Sequence, residues 1–321
     1  MLVQETINWL LESSGWVEYH TRLNLMGETE ESVNVQAARR RMVDSREVQK
    51  VIAEVAEWPG AVLISHKSAG HPIHKLEFLA DLGLRADDPG IAAIIENITS
   101  HQEEEGPFQV LTNIPEKFGG SGEDVWAWAL CDAPLIFYAL TRFGLAGEAS
   151  VQRGVDFLMH LVRENGWPCA GSTKLGTFRG PGRKCDPCPN ANLIMLKLLA
   201  ANPATRDSQA SRLGAESILK CWAEREAFHP YIFYMGNDFC KTKAPLVWYD
   251  LLHVTWVLAQ FPWLKGDERL NQMKAILASK ADAQGRFTPE SVWLAWKEWD
   301  FGQKKVRSAW LTYLAQKILS G

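Results

Sequence analysis

Two thiols, a carboxylate and three cations stand within ten residues in the stretch TFRGPGRKCDPCPNANLIMLKLL, residues 177–199. The thiols are Cys185 and Cys188, the carboxylate is Asp186, and the cations are Arg179, Arg183 and Lys184. Thiolate and carboxylate are both zinc ligands. A basic loop loosened by Gly180 and Gly182 and running into a helix start is suited to an anion. Pro187 and Pro189 mark that start, because proline fits the first helical turn and breaks the interior. Asp186 has a second reading, as the cap of the helix that follows. Cys185-x-x-Cys188 has the spacing of a redox pair, but the βαβ pattern that accompanies such pairs is missing around it.

The elements that must position these groups are helical. Alternating β-branched runs are nearly absent, and the one exception, residues 61–65, is short. Apolar residues recur at spacings of three and four over 5–12, 16–25, 33–42 and 45–57, which predicts amphipathic helices. From residue 70 a repeat sets in. Strongly apolar segments at 71–82, 125–143, 190–200, 246–259 and 307–319 have centres at Glu77, Ile136, Ile194, Leu252 and Leu311, 58 or 59 residues apart. Amphipathic segments at 89–100, 147–162, 208–223 and 267–279 lie between them. Turns with a glycine and an aromatic follow three of these, at Gly106-Pro107-Phe108, Gly166-Trp167 and Gly285-Arg286-Phe287. A helix pair repeating at a fixed period predicts stacked helical hairpins with an apolar and an amphipathic layer. The expected fold is all-α, an α/α toroid closed as one domain over 1–321. Residues 1–65 form a helical extension and 70–321 the repeats. An open solenoid is the alternative.

The repeat, above all Gln102-x-x-x-Gly106-x-Phe108, is similar to the glycine–aromatic repeat of terpenoid cyclases and of protein prenyltransferase β subunits. The resemblance covers roughly residues 70–321 and implies a toroid around a central cavity. The Asp-x-Asp-Asp acid of the triterpene-type cyclases is not in the sequence, nor is an aspartate-rich magnesium motif, so acid-initiated cyclisation is not expected. The prenyltransferase pattern has better matches. Asp186-Pro187-Cys188 stands for its Asp-x-Cys at the start of an inner helix. Asp250 and His253, three apart and so on one helix face, stand for its later Asp and liganding His. Pro189 occupies the place of the family's tyrosine. The resemblance thus implies zinc held by Asp186, Cys188 and His253, with Cys185 able to replace the carboxylate, and a substrate thiol activated on the metal. It further implies a diphosphate bound by Arg179, Arg183 and Lys184. His74, Trp126, Trp128, Asp132, Trp248, Tyr249, Asp250 and Trp256 are the residues expected to line the cavity. The activity implied is a zinc-dependent transferase acting on an isoprenoid or other apolar small molecule, with a protein partner like the family's second subunit. A non-catalytic toroid holding a lipid or peptide, and a structural helical-repeat adaptor, are the other two readings.

Composition narrows these. A net charge of −4 over 321 residues, with no basic run of five, argues against a nucleic-acid partner. No stretch approaches 18 uninterrupted apolar residues, so no membrane span is expected. The N-terminus carries acidic residues where a signal peptide needs basic ones. Six unevenly spaced cysteines suit a reducing cytoplasm. Cys131 and Cys221, inside apolar runs, read as packing, and His253 has a second reading as a core histidine. Fourteen tryptophans read mainly as core and inter-helix packing, with some available to a cavity. Trp299-Asp300-Phe301-Gly302 reads as a turn before the last helix.

Overall fold

Proline and short polar residues decide where the helices of this chain begin, and glycines at positive φ decide how the loops between them turn. In the computed structural model, which describes residues 4–177, 180 and 182–321, the chain is mostly α-helical. Its first four helices are α1 (Gln4–Leu11), α2 (Gly15–Asn24), α3 (Val33–Val43) and α4 (Arg46–Ala56). These follow the periodic segments of the sequence to within one residue at each end. After them come α5 (Pro72–Asp81), α6 (Ile91–Thr99), strands β1 (Val110–Thr112) and β2 (Val125–Ala127), α7 (Ala133–Leu140), α8 (Ala149–His160) and α9 (Pro189–Ala201). The rest are α10 (Pro203–Arg206), α11 (Gln209–Ala223), α12 (Leu251–Leu258), α13 (Glu268–Ala278) and α14 (Ala309–Ser320). The chain divides into two compact units, one of Val51–Met235 and one of Met1–Lys50 with Gly236–Gly321.

In the Val51–Met235 unit, α5, α7 and α9 form a row in which α7 packs against both neighbours. All of α7 is buried, as is α9 from Pro189 to Ala200. A helix apolar on every side has to be enclosed. The amphipathic α8 covers α7, and α11 covers α9. The glycine–aromatic turn locks the layers together. Gly166 has φ 100°, and Trp167 beside it is fully buried. Asn192 on α9 accepts from the Trp167 N–H and donates to its carbonyl, both at 2.9 Å, while Trp167 Nε1 donates to the Leu158 carbonyl on α8.

Two expected helices are shorter than their apolar runs, and of 246–259 only Leu251–Leu258 is α-helix. Residues 125–143 read as a single helix, but the α-helix is Ala133–Leu140, followed by a π-helical turn at Thr141–Leu145. Val125–Ala127 pairs antiparallel with Val110–Thr112, Val110 opposite Ala127 and Thr112 opposite Val125. Pro134 fits only the first turn of α7, so the helix cannot extend back through it. The Val-Trp-Ala run before it takes the extended form that its β-branched and aromatic residues favour. Leu63, in the weak strand signal at 61–65, adds a single parallel bridge to Thr112.

The other unit repeats the scheme. Helices α12 and α14 are the apolar pair and pack together, and α13 covers both. The same turn recurs: Gly285 has φ 80°, the Phe287 N–H donates to Thr312 Oγ1 at 2.9 Å, and Gln316 donates to the Gly285 carbonyl at 2.6 Å. On the opposite side α14 packs against α2, which packs on α3. Tryptophans fill these seams, with Trp16 against Trp299 at 5.0 Å between ring centroids and Trp310 against His20 at 5.5 Å. No helix among the described residues is long and apolar enough to cross a membrane.

Candidate thiolate site

Three buried helices of the Val51–Met235 unit start at one place. Cys188 is the N-cap residue of α9, Asp132 holds that position on α7, and His71 on α5. His71 is a neutral cap. Its Nδ1 accepts from the Ile73 N–H, which leaves the proton on Nε2, and Nε2 donates to the Ala61 carbonyl at 2.8 Å. Burial holds this imidazole below its ordinary pKa. Asp132 is spent differently. It makes no cap bond, and Oδ1 lies 2.9 Å from His66 Nδ1 in the loop before α5.

Cys188 lies near Cys131, the residue before Asp132, and the Cys131 thiol and the backbone at the start of α9 favour a charge on the Cys188 sulfur. These interactions, with the nearby His66 imidazole, hold the Cys188 thiol below its ordinary pKa although burial opposes them. A helix N-terminus stabilises a thiolate in this way. Cys131 moves the opposite way. Its closeness to Cys188, its burial and the negative charges of Cys188 and Asp132 hold it well above the thiol range. Burial works against a charge on His66, but Asp132 and then Cys188 outweigh it, and the imidazole is held above its ordinary pKa. The surroundings thus favour the charged form of Cys188, the protonated thiol of Cys131 and the charged imidazole of His66 beside Asp132. Cys188 itself is buried, while His66 and Cys131 are half-buried.

A second polar network holds the His66 loop from below. His74 on α5 donates from Nε2 to the His66 carbonyl at 2.9 Å, and its Nδ1 faces Glu77 Oε2 at 3.5 Å. Glu77 and Asp81 are both bonded to Lys197 of α9, and Asp81 also accepts from Tyr138 of α7. An ion cluster shared by α5, α7 and α9 therefore fixes the register of the three helices whose starts form the site.

The sequence pointed to part of this. Cys188 and Asp132 are in the site. Asp186 is buried beside it but is turned to Arg183, accepting from its N–H and Nε and pairing with Nη2 at 3.2 Å. Cys185 and Lys184 are exposed, and their carbonyls accept from Asn165 and Arg163. Arg183 is exposed apart from that pair, and Arg179 lies outside the described residues. Trp128 is buried and donates to Glu103, and Trp126 stacks on His101 at 3.6 Å. The remaining residues named from the sequence belong to the other unit. There Asp250 caps α12 by accepting from the His253 N–H at 3.0 Å, and His253 Nδ1 donates to the Trp248 carbonyl. Tyr249 packs on Phe239, and Trp256 meets Tyr313 edge-on.

Among the described residues no group of three or more His, Cys, Asp or Glu side chains is placed to hold a metal ion. The Asp186 oxygens are directed at Arg183.

No family model matches the chain, and no curated protein is similar to it. Among solved structures it is similar to a protein from Actinoplanes, at 16% identity and a TM-score of 0.41, over 95% of this chain and 88% of that one.

Proposed function

We propose that the protein is a cysteine-dependent transferase or hydrolase in which Cys188 attacks an electrophilic carbon and carries the transferred group as a thioester or thioether. The observation that carries this reading is the placing of Cys188 at the start of α9 and of Asp132 at the start of the neighbouring α7, with His66 paired to Asp132 at 2.9 Å. Cys188 is the nucleophile, its charged form favoured by its surroundings at the start of α9. His66 supplies a proton to the leaving group and then, neutral, takes one from the incoming acceptor. Asp132 holds the imidazole ring and stabilises its charged form, as the carboxylate does in other cysteine and serine enzymes. The group transfer expected from the sequence is kept, with the thiolate supplied by the protein rather than by a substrate thiol on zinc.

The finer architecture belongs to the same proposal. Alternation of buried and amphipathic helices, and the glycine–aromatic turn pinned by a polar residue of the following buried helix, recur in both units. Both features support an α/α toroid.

The test uses p-nitrophenyl acetate as acyl donor and maps the adduct by peptide mass spectrometry. The reading expects acetylation of Cys188 with release of nitrophenol, lost in Cys188→Ala and slowed in His66→Gln. Acetylation at the exposed Cys185 alone, with Cys188 unmodified, would end it.

A further inference from the structure

The Trp299-Asp300-Phe301-Gly302 turn has no part in the group transfer, yet it forms one wall of a cavity in the unit of Met1–Lys50 and Gly236–Gly321. The cavity has a volume of about 380 Å³, the size of a small-molecule site. Trp9 of α1, Trp16 of α2 and Trp299 line it, together with Glu47, Glu298 and Asp300. Close backbone packing sets these rings in place. Gly15 lets α2 begin directly against α3, where a Cβ would stand 2.7 Å from the Met42 nitrogen. Gly302 lets the turn fold back on the Trp296 carbonyl, which leaves no room for a Cβ. Phe301 stacks on the Trp299 ring, 5.6 Å between centroids with the planes 18° apart, and Trp16 meets the same ring tilted at 5.0 Å.

Two polar atoms of these walls have no hydrogen-bond partner among the described residues. One is Nε1 of Trp16, a residue only 7% exposed. The other is Oδ1 of Asp300. Its second oxygen is spent, since Oδ2 accepts from the Ser308 hydroxyl at 2.7 Å and from the Trp310 N–H at 3.1 Å, but Oδ1 is buried and unmatched. A buried acceptor without a donor is costly, and a bound donor or cation recovers that cost. Ser14, which also lines the cavity, is the N-cap residue of α2 but makes no cap bond with its side chain. Its hydroxyl is therefore not spent on the helix.

We infer that this cavity binds a substituted ammonium ion, with the cation against the tryptophan rings and Asp300 as its counter-charge. The site goes beyond the cysteine chemistry and uses none of its residues. An indole face attracts cations more strongly than the other aromatic rings do. The charges of the walls agree with this. Glu47, Glu298 and Asp300 stand against one cation, Arg307, whose Nε is already bonded to Asp282. An anion would be repelled by that balance, and an uncharged apolar ligand would leave Asp300 Oδ1 buried and unmatched. Burial holds the Asp300 carboxyl above its ordinary pKa, and a cation beside it offsets that effect. Glu47, Glu298 and Arg307 are exposed, so the cavity opens to solvent and a ligand can enter.

The experiment titrates the full-length protein with choline chloride in a calorimeter, beside 3,3-dimethylbutan-1-ol, the uncharged carbon analogue of the same shape. The expected result is saturable binding of one choline per chain, with the alcohol held roughly tenfold more weakly or not at all. Trp299→Leu and Asp300→Asn should each weaken choline by about tenfold. Asp300 also holds the start of α14 through Ser308 and Trp310. Trp9→Leu, at a half-buried position, keeps the question answerable if Asp300→Asn fails to fold, and it should weaken choline severalfold. A peptide carrying one trimethyllysine separates the two sources of such a group. Held about tenfold more tightly than choline, it assigns the cage to a protein chain; held no better, it assigns the cage to a free small molecule. Equal affinity for choline and the alcohol, no saturable choline binding, or binding that Trp9→Leu and Trp299→Leu both leave intact would overturn the inference.

Discussion

Lys197 Nζ lies 2.7 Å from Glu77 Oε1, with the Lys197 side chain wholly enclosed and that of Glu77 only 2% exposed. Asp81 is the second partner of the same ammonium at 2.9 Å, and the Tyr138 ring faces it at 4.7 Å. A buried cation between two carboxylates contributes little net stability over an apolar core of the same shape, but breaking it leaves charge without a partner. Burial alone would lower the Lys197 pKa, yet Asp81 and then Glu77 hold it far above the ordinary range. A raised lysine pKa contributes stability that is complete below the unfolded value, near 10.4, and lost only at higher pH. The ammonium is therefore charged at every pH at which the protein would work.

Replacing Lys197 with Met should cost about 3–5 kcal/mol, because Glu77 and Asp81 are left facing each other in the core. Denaturant unfolding at pH 7.5 measures this. A loss under about 1 kcal/mol would mean that the carboxylates accept protons readily and that the cluster does not fix the helix register.

Asp250 gives the other unit a pH dependence of definite sign. Burial pushes its carboxyl up to about 7, against the His253 and Leu252 N–H groups that favour the charged form. The folded value stands above the unfolded one, near 3.9, so the folded state binds the extra proton between them. Stability from this group is complete below about pH 4 and is lost as pH rises through about 7, by on the order of 4 kcal/mol. Asp250→Asn keeps an oxygen for the His253 N–H and cannot titrate. It should melt close to wild type at pH 5 and above it at pH 8. Identical melting shifts at the two pH values would remove Asp250 as the source.

The helix starts and the repeat were legible in the sequence because proline, capping residues and apolar period are local properties. The site was legible in half. Cys188 stood out beside Pro187, Pro189 and the basic loop, and the Asp-Ala-Pro at 132–134 echoed Asp186-Pro187. The residues that complete it were hidden for physical reasons. Cys131 looks like core packing until α7 is seen to start beside α9, although its place one repeat before Cys188 was a readable signal. His66 lies in an irregular loop, and the contact to Asp132 that ties it to the site follows no sequence pattern. Lys197 sits inside the apolar run of α9, where a lone charge reads as a gap in the pattern until Glu77 and Asp81 are found around it.

Gly166 is where the repeat meets sterics. Its φ of 100° is closed to other residues, and a Cβ there would stand 2.4 Å from Asn192 Oδ1 and 2.7 Å from Ser217 Cβ. Gly166→Ala should destabilise by about 3 kcal/mol and loosen the Asn192 clamp on Trp167, seen as a change in tryptophan emission. Gly147→Ala meets nothing within 4 Å and should be nearly neutral. Equal effects at the two positions would mean that the turn is not a locked element of the repeat.

The ionisation of Cys188 can be read from the pH dependence of its alkylation, resolved from the other cysteines by peptide mass spectrometry. An ordinary thiol has its midpoint near 8.5. Cys188 should have its midpoint lower, because the nearby Cys131 thiol, the backbone at the start of α9 and the His66 imidazole favour its charged form. Cys131→Ala removes the largest of these effects and should move the midpoint up, with reaction slower at pH 7. His66→Gln removes the imidazolium and should move it up by less. Cys221 is the internal control, silent from pH 6 to 9 because burial keeps it protonated. A Cys188 midpoint at or above the ordinary value, or one that Cys131→Ala leaves in place, would show that α9 starts on an inert thiol, and the nucleophile would have to be sought elsewhere.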